Sequence, residues 1–223
     1  MRTAIIGLPQ VGKTSLFTIL TGAKREARLG TTAVQVGVTR VPDHRIDELA
    51  AVFQPPKVIH ATVEYADVPA MSKEALRDPA YIAALRLVDA FAHVLRLFDN
   101  DAVMHVEGSV DPERDWKDIE LELILNDLAV VEKRLDRVEK DMGRIKDSDL
   151  EHERDLLVKA KDFLESERPL RELDLDPEES KRLRGFQFLS AKPMLLVLNL
   201  GESQAATLHE TEEQYRRQWL PDR

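Results

Sequence analysis

Residues 7–15 read GLPQVGKTS and follow directly on the apolar run Ala4-Ile5-Ile6. The stretch meets the pattern G-x-x-x-x-G-K-[ST] at Gly7, Gly12, Lys13 and Thr14. At average residue usage a chance match in a chain of this length is roughly a one-in-a-hundred event. The flanks narrow it further, because TAII (3–6) reads as a strand and TSLFTILTG (14–22) as a helix ended by Gly22. Glycines let backbone N–H groups curl around a phosphate at the positive end of the following helix. Lys13 would reach β- and γ-phosphates as a point charge, and the Thr14 hydroxyl would ligate Mg²⁺. The cradle is read as Gly7, Gln10, Val11, Gly12, Lys13, Thr14 and Ser15. The plainer alternative is a glycine-bearing strand–helix turn with a solvated lysine.

Outward from this stretch, residues 1 to about 110 alternate β-rich runs with helical ones, the pattern of α/β units on a mainly parallel sheet. VQVGVTRV (34–41), ATVEYADV (61–68) and FAHVLRLF (91–98) read as strands, and AYIAALRLVDA (80–90) as a helix. Asp67 ends the second of these strands and is the best candidate for a carboxylate that reaches Mg²⁺ through a water; otherwise it is an ordinary strand-end turn residue.

From Asp111 the texture changes. Trp116, Ile119, Leu123, Val131, Leu135, Val138, Met142 and Ile145 recur at steps of three and four, with one longer gap between Leu123 and Val131. That is an a/d seam on a charged helix. GRIKDSD (143–149) would hold a tip, with Ser148 or Asp149 capping a return helix. Leu156 or Leu157, Ala160 and Leu164 continue the seam until Pro169. Residues 111–184 are therefore expected to form an antiparallel coiled-coil hairpin, inserted into an α/β domain of residues 1–110 and 185–223. Two amphipathic helices lying flat on the sheet would satisfy the same pattern. After the insert, PMLLVLNL (193–200) is apolar and of strand length, and TLHETEEQYRRQWL (207–220) reads as a final helix.

The 223 residues carry 43% hydrophobic and 33% charged side chains, enough for one full core plus a solvated helical element. Without cysteine, neither disulfides nor a thiolate metal site is available. No secretory leader and no uncharged run of membrane-spanning length is found, so the reading is a cytoplasmic protein. Of the net charge of −9, Asp111–Arg184 supplies −8, with 24 acidic against 16 basic residues. Such a balance argues against indiscriminate DNA binding.

At this point the residues resemble a known family. GLPQVGKTSLFTILTG (7–22), VPDHRIDELA (41–50), HVEGSVDPERDWKDIELELILNDLAVVEKRLDRVEK (105–140) and AKPMLLVLNLGE (191–202) are similar, in order, to the YchF / Obg-like ATPases. The resemblance implies a P-loop NTPase of three-layer α/β/α architecture that favours ATP over GTP, carries a coiled-coil insert, and associates with ribosomes or nucleic acid. It implies the base-reading motif N-x-x-E at Asn199 and Glu202, where ordinary GTPases carry N-K-x-D. An Asn amide can pair with adenine N6 and N7. It also implies an apolar residue, Met71, where GTPases place a water-orienting Gln, and a role in orienting water for His105 on a loop.

Three departures stand out. The family's Asp-x-x-Gly is here Asp67-Val68-Pro69-Ala70, which loses glycine's freedom and gains a stiff φ. The following switch is about four residues shorter, with no glycine between Gly37 and Gly108. In LGTTAVQVGV (29–38) Thr31 is kept as a second Mg²⁺ ligand, while its surroundings differ. The chain also stops before the family's last core strand, second base loop and TGS domain, so a truncated chain is expected; SAK (190–192) only imitates that loop.

Three functions fit these residues. One is a slow Mg²⁺-dependent NTPase splitting the β–γ bond, with Lys13, Asp67 and His105 as its catalytic groups. Another is a nucleotide-binding scaffold with a weakened switch. In the third, the arm makes the protein or ribosome contacts, through a tip with six basic against four acidic residues over 132–146.

Overall fold

The structure is a computed structural model that describes residues 1–23, 34–72, 74–100, 102–143 and 147–219. Thr31 and the rest of 24–33, and Ile145 with its neighbours 144 and 146, lie outside the described residues. Two compact units form: Met1–Met71, Val88–Pro112 and Met194–Arg223 in one, Ser72–Leu87 and Glu113–Pro193 in the other.

The first unit is built on five strands: β1 (Arg2–Ile6), β2 (Gln35–Arg40), β3 (Thr62–Asp67), β4 (Ala90–Arg96) and β5 (Met194–Asn199). They lie in the order β2-β3-β1-β4-β5. β1 runs parallel to β3 and β4, β4 parallel to β5, and β2 alone is antiparallel, to β3. β1 and β4 are central and nearly all buried, which is why their sequences are continuous apolar runs. The edge strands keep exposed apolar residues, Val36 and Val38 on β2 and Leu195 on β5. Helix α1 (Lys13–Thr21) lays Phe17, Leu16 and Leu20 over Ile5, Ala92 and Val94. It ends as expected at Gly22, whose positive φ of 65° lets its N–H reach the Thr18 carbonyl at 2.9 Å. Helix α2 (His44–Phe53) joins β2 to β3 and was not anticipated as a helix. Its Asp43 cap accepts from the Arg45 N–H, and none of its side chains is fully buried.

The second unit is helical. α3 (Pro79–Arg86) is shorter than the 80–90 expected, because Asp89 N–H donates to the Arg2 carbonyl and β4 begins at Ala90. α4 (Pro112–Met142) and α5 (Ser148–Glu165) form the long helices. Ile124, Val131 and Val138 of α4 pack in one core with Leu156, Leu157, Ala160 and Leu164 of α5, so the seam finds its partner in the return helix. Arg134 adds a two-pronged ion pair to Glu153, both contacts at 2.7 Å. The gap in the seam is filled by Asp127, which is fully buried. Its carboxylate accepts from Leu189 N–H (2.9 Å), Ser190 N–H (2.7 Å) and the Ser190 hydroxyl (2.7 Å). The return helix is capped by Asp147, one residue before Ser148, through its carboxylate and the Asp149 N–H. α6 (Pro177–Arg184) was also unanticipated; Asp176 and Glu179 form its capping box. This unit takes in 72–87 and reaches Pro193, a wider span than 111–184. A final helix, α7 (Leu208–Trp219), belongs to the sheet unit. Among the described residues no helix is long and apolar enough to cross a membrane.

Candidate nucleotide-binding site

The cradle sits between β1 and α1, and its backbone could not form with other residues at two positions. Gly7 has φ 143°, and a Cβ there would lie 2.6 Å from the Val94 carbonyl of the neighbouring strand. Gly12 has φ 98°, and a Cβ would overlap the side-chain amide of Asn199. Between them Gln10 takes a positive φ of 61°, and Val11 is anchored in the core under α1. Thr14 is half-buried and Ser15 exposed in the first turn of α1.

Lys13 is 8% exposed, and its ammonium donates to the Leu8 carbonyl of the same loop at 2.6 Å. Burial pulls its pKa down to about 8, with the nearby Asp67 carboxylate acting in the opposite sense. Lys13 at the start of α1 and Asp67 at the end of β3 are thus close enough for their charges to interact. Asp67 stands at the end of β3, opposite Ile5 of β1.

Asn199 ends β5 and donates its amide N–H to the Val11 carbonyl at 2.8 Å, so the motif beyond the last strand is fastened to the cradle. One of its two amide N–H groups is thus committed to the loop, while the second N–H and the oxygen remain for a ligand. Glu202 is exposed at the start of a 3₁₀ turn whose preceding Gly201 N–H donates to Gln204 Oε1 at 2.9 Å.

Met71 is 1% exposed, and its backbone N–H donates to the Gly7 carbonyl at 3.0 Å. The Asp67-to-Met71 segment is thus tied back onto the cradle, with the Met71 side chain in the core. His105 is buried on the connection between β4 and α4, its Nδ1 accepting from Glu107 N–H at 3.2 Å and its carbonyl accepting from Gly108 N–H. These contacts fix it within its own loop, while Lys13, Asn199 and Met71 each bond to the backbone of the cradle.

Sequence reasoning missed His93. It is fully buried on β4, its ring packs behind Gly7, and neither ring nitrogen has a hydrogen-bond partner among the described residues. Burial and, secondarily, the charge of Lys13 hold its pKa near 3, so the ring is neutral. A histidine inside the apolar run FAHVLRLF was the available signal.

The residues fit a Mg²⁺–nucleotide: two positions tolerate only glycine, a buried ammonium faces a carboxylate, and a threonine hydroxyl lies in the first helical turn. The family model of the 50S ribosome-binding GTPases matches residues 2–134. The ribosome-binding ATPase YchF of Bacillus subtilis (strain 168) is 37% identical over 213 residues, which are 92% of this chain and 58% of that protein. Obg-like ATPase 1 of Oryza sativa subsp. indica is 34% identical over 91% of this chain and 53% of its own length. Among solved structures, that of the Schizosaccharomyces pombe YchF GTPase is similar with a TM-score of 0.81 and 26% identity, covering 100% of this chain and 63% of that one. The chain thus spans between half and two thirds of the length of these relatives. With the P-loop, the sheet order and the helical insert all in agreement, the chain belongs to the YchF / Obg-like ATPase family of P-loop NTPases, with that family's α/β fold.

Proposed function

We propose that this chain binds a nucleoside triphosphate with Mg²⁺ and hydrolyses it slowly, with ATP preferred to GTP, in association with the ribosome or RNA. The observation that carries the reading is the convergence of Lys13, Asp67 and the Gly7–Gly12 loop on one site. Lys13 would leave the Leu8 carbonyl for the β- and γ-phosphates and stabilise the charge that develops as the β–γ bond breaks. The loop N–H groups hold the β-phosphate. Thr14 would hold Mg²⁺ directly and Asp67 through its water shell, with Thr31 as a further ligand. An ion held by these residues would supply neutralisation of phosphate charge. Asn199 keeps its oxygen as an acceptor for an adenine amino group, and Glu202 stands beside the base. His105 orients the water that a Gln would otherwise orient. Residues 1–110 and 185–223 form the nucleotide domain, while 111–184 form the arm through which a protein or ribosome is met. The ribosome-binding names of the relatives support that partner.

A second reading, a nucleotide-binding scaffold with little hydrolysis, is favoured by one specific observation. Met71 is buried and bonded to Gly7, so the segment that should order around the terminal phosphate is already tied down. Titration with ATP and GTP in Mg²⁺, followed by phosphate release on the same sample, separates the readings. Binding with release is expected. Binding without release supports the scaffold, and failure to bind either nucleotide removes both.

A further inference from the structure

Arg96, at the end of β4, is 1% exposed and among the largest fully buried side chains of the protein. Among the described residues its hydrogen-bond acceptors are backbone carbonyls and not a carboxylate. Its guanidinium donates from Nε to the Phe98 carbonyl at 3.0 Å and from Nη2 to the Val103 carbonyl at 2.8 Å. The head group lies over the Phe98 ring, 4.4 Å from its centroid, and Nη1 is buried with no partner among the described residues. Burying a cation against two neutral carbonyls is costly, and an apolar side chain would fill the same space at less cost. What an apolar residue cannot supply is a rigid fork of donors in a fixed plane. The two acceptors lie on the segment leading to His105, Phe98 at its start and Val103 two residues before that histidine. The same strand end is bound to the base-contacting strand: Arg96 stands opposite Asn199 in register, and Leu97 N–H donates to the Asn199 carbonyl at 2.9 Å.

We propose that Arg96 is a positioning residue, a clip that holds Phe98 and Val103 to the end of β4 and so sets the place of His105. Its use in hydrolysis rests on the reading of His105 as the water-orienting group. Without the fork the segment loosens, while the phosphate cradle keeps its place, because β4 is held to β1 and β5 by backbone pairing that the Arg96 side chain does not make.

The test uses the full chain with Arg96→Met and Arg96→Lys, each alone and combined with His105→Ala. Three quantities are read: hydrogen exchange of the Val103, Glu107 and Gly108 amides without nucleotide, ATP affinity, and single-turnover phosphate release. Expected for Arg96→Met are exchange faster by about tenfold or more, affinity within about twofold, and release slowed by about tenfold to 100-fold. In the His105→Ala background no further slowing is expected, because both changes remove one function. Arg96→Lys keeps charge and volume but not the fork; it should show the same changes in a protein that folds if the Met variant does not. Unchanged exchange in both variants overturns the clip. Equal slowing with and without His105, or affinity lost in step with rate, overturns its action through His105. If the parent protein binds ATP but releases no phosphate, the hydrolytic reading fails by itself, and the exchange rates still decide the clip.

Discussion

The side-chain amide of Asn199 donates to the backbone carbonyl of Val11 at 2.8 Å, across 188 residues of chain, and fills the space where Gly12 has no Cβ. Strand β5 and the phosphate cradle are thereby one construction, so a change in the base motif is felt at the phosphates. Asn199→Asp would set an acceptor against the Val11 carbonyl. The expected result is a loss of about 1–3 kcal/mol in binding of both ATP and GTP, whereas Glu202→Ala alters the ratio between them. Calorimetric titration with both nucleotides checks this. An Asn199→Asp protein with unchanged GTP affinity would show that the bond to Val11 is dispensable.

In the proposed site Lys13 would make nucleotide affinity depend on pH. Burial lowers its pKa from 10.5 to about 8. Between those values the unfolded chain holds the proton and the folded chain does not, so the Lys13 contribution makes the protein more stable as pH rises across that window. Bound phosphates favour the charged form, so binding above pH 8 takes up a proton. ATP affinity should fall about tenfold between pH 7 and pH 9, with a matching dependence of the binding heat on buffer ionisation. A flat profile would place Lys13 away from the phosphates.

Restoring a glutamine at position 71 should not restore a switch. Met71 is in the core and its N–H is committed to Gly7. Met71→Gln would bury an amide where a thioether now packs, lowering stability by about 1–3 kcal/mol without raising phosphate release. Thermal unfolding and single-turnover assays on the variant decide it. Faster release at unchanged stability would mean that the segment leaves Gly7 when nucleotide binds.

Asp127 is a buried carboxylate whose stabilising role comes from three donors. Burial raises its pKa, partly offset by the Ser190 and Leu189 bonds. The raised value means that the folded state favours the protonated form, so its own contribution to stability declines as pH rises through the carboxylate range. Asp127→Ala leaves three donors unpaired, at about 1 kcal/mol each, for a total of about 3 kcal/mol. Loss of stability well under that, seen by denaturant unfolding, would mean water takes the place of the carboxylate.

The strands and the cradle were legible because their signals are local. A central parallel strand needs a continuous apolar run, and the cradle needs glycines, a lysine and a threonine at fixed steps. The α4–α5 seam was legible for the same reason. Local signals for α2 and α6 were also present, as Asp43 before Ile46, Leu49 and Phe53, and as Asp176-Pro177-Glu178-Glu179. These signals are weak because both segments are short, 10 and 8 residues, and α6 carries only Leu183 as an apolar residue.

The sequence by itself determined the strand–loop–helix at residues 3–22, the succession of the β-runs along the chain and the apolar seam of the long helices, since each follows from residue spacing over one or two elements. Tertiary structure alone decided that Asn199 is tied to Val11, that Met71 closes on Gly7, that Asp127 fills the gap in the seam by bonding to Ser190, and that Arg96 bonds to the Phe98 and Val103 carbonyls. Each of these joins a polar group to a backbone atom far along the chain or across a turn. The energy lies in satisfying a buried donor or acceptor, and no periodicity in a sequence records where that partner will be.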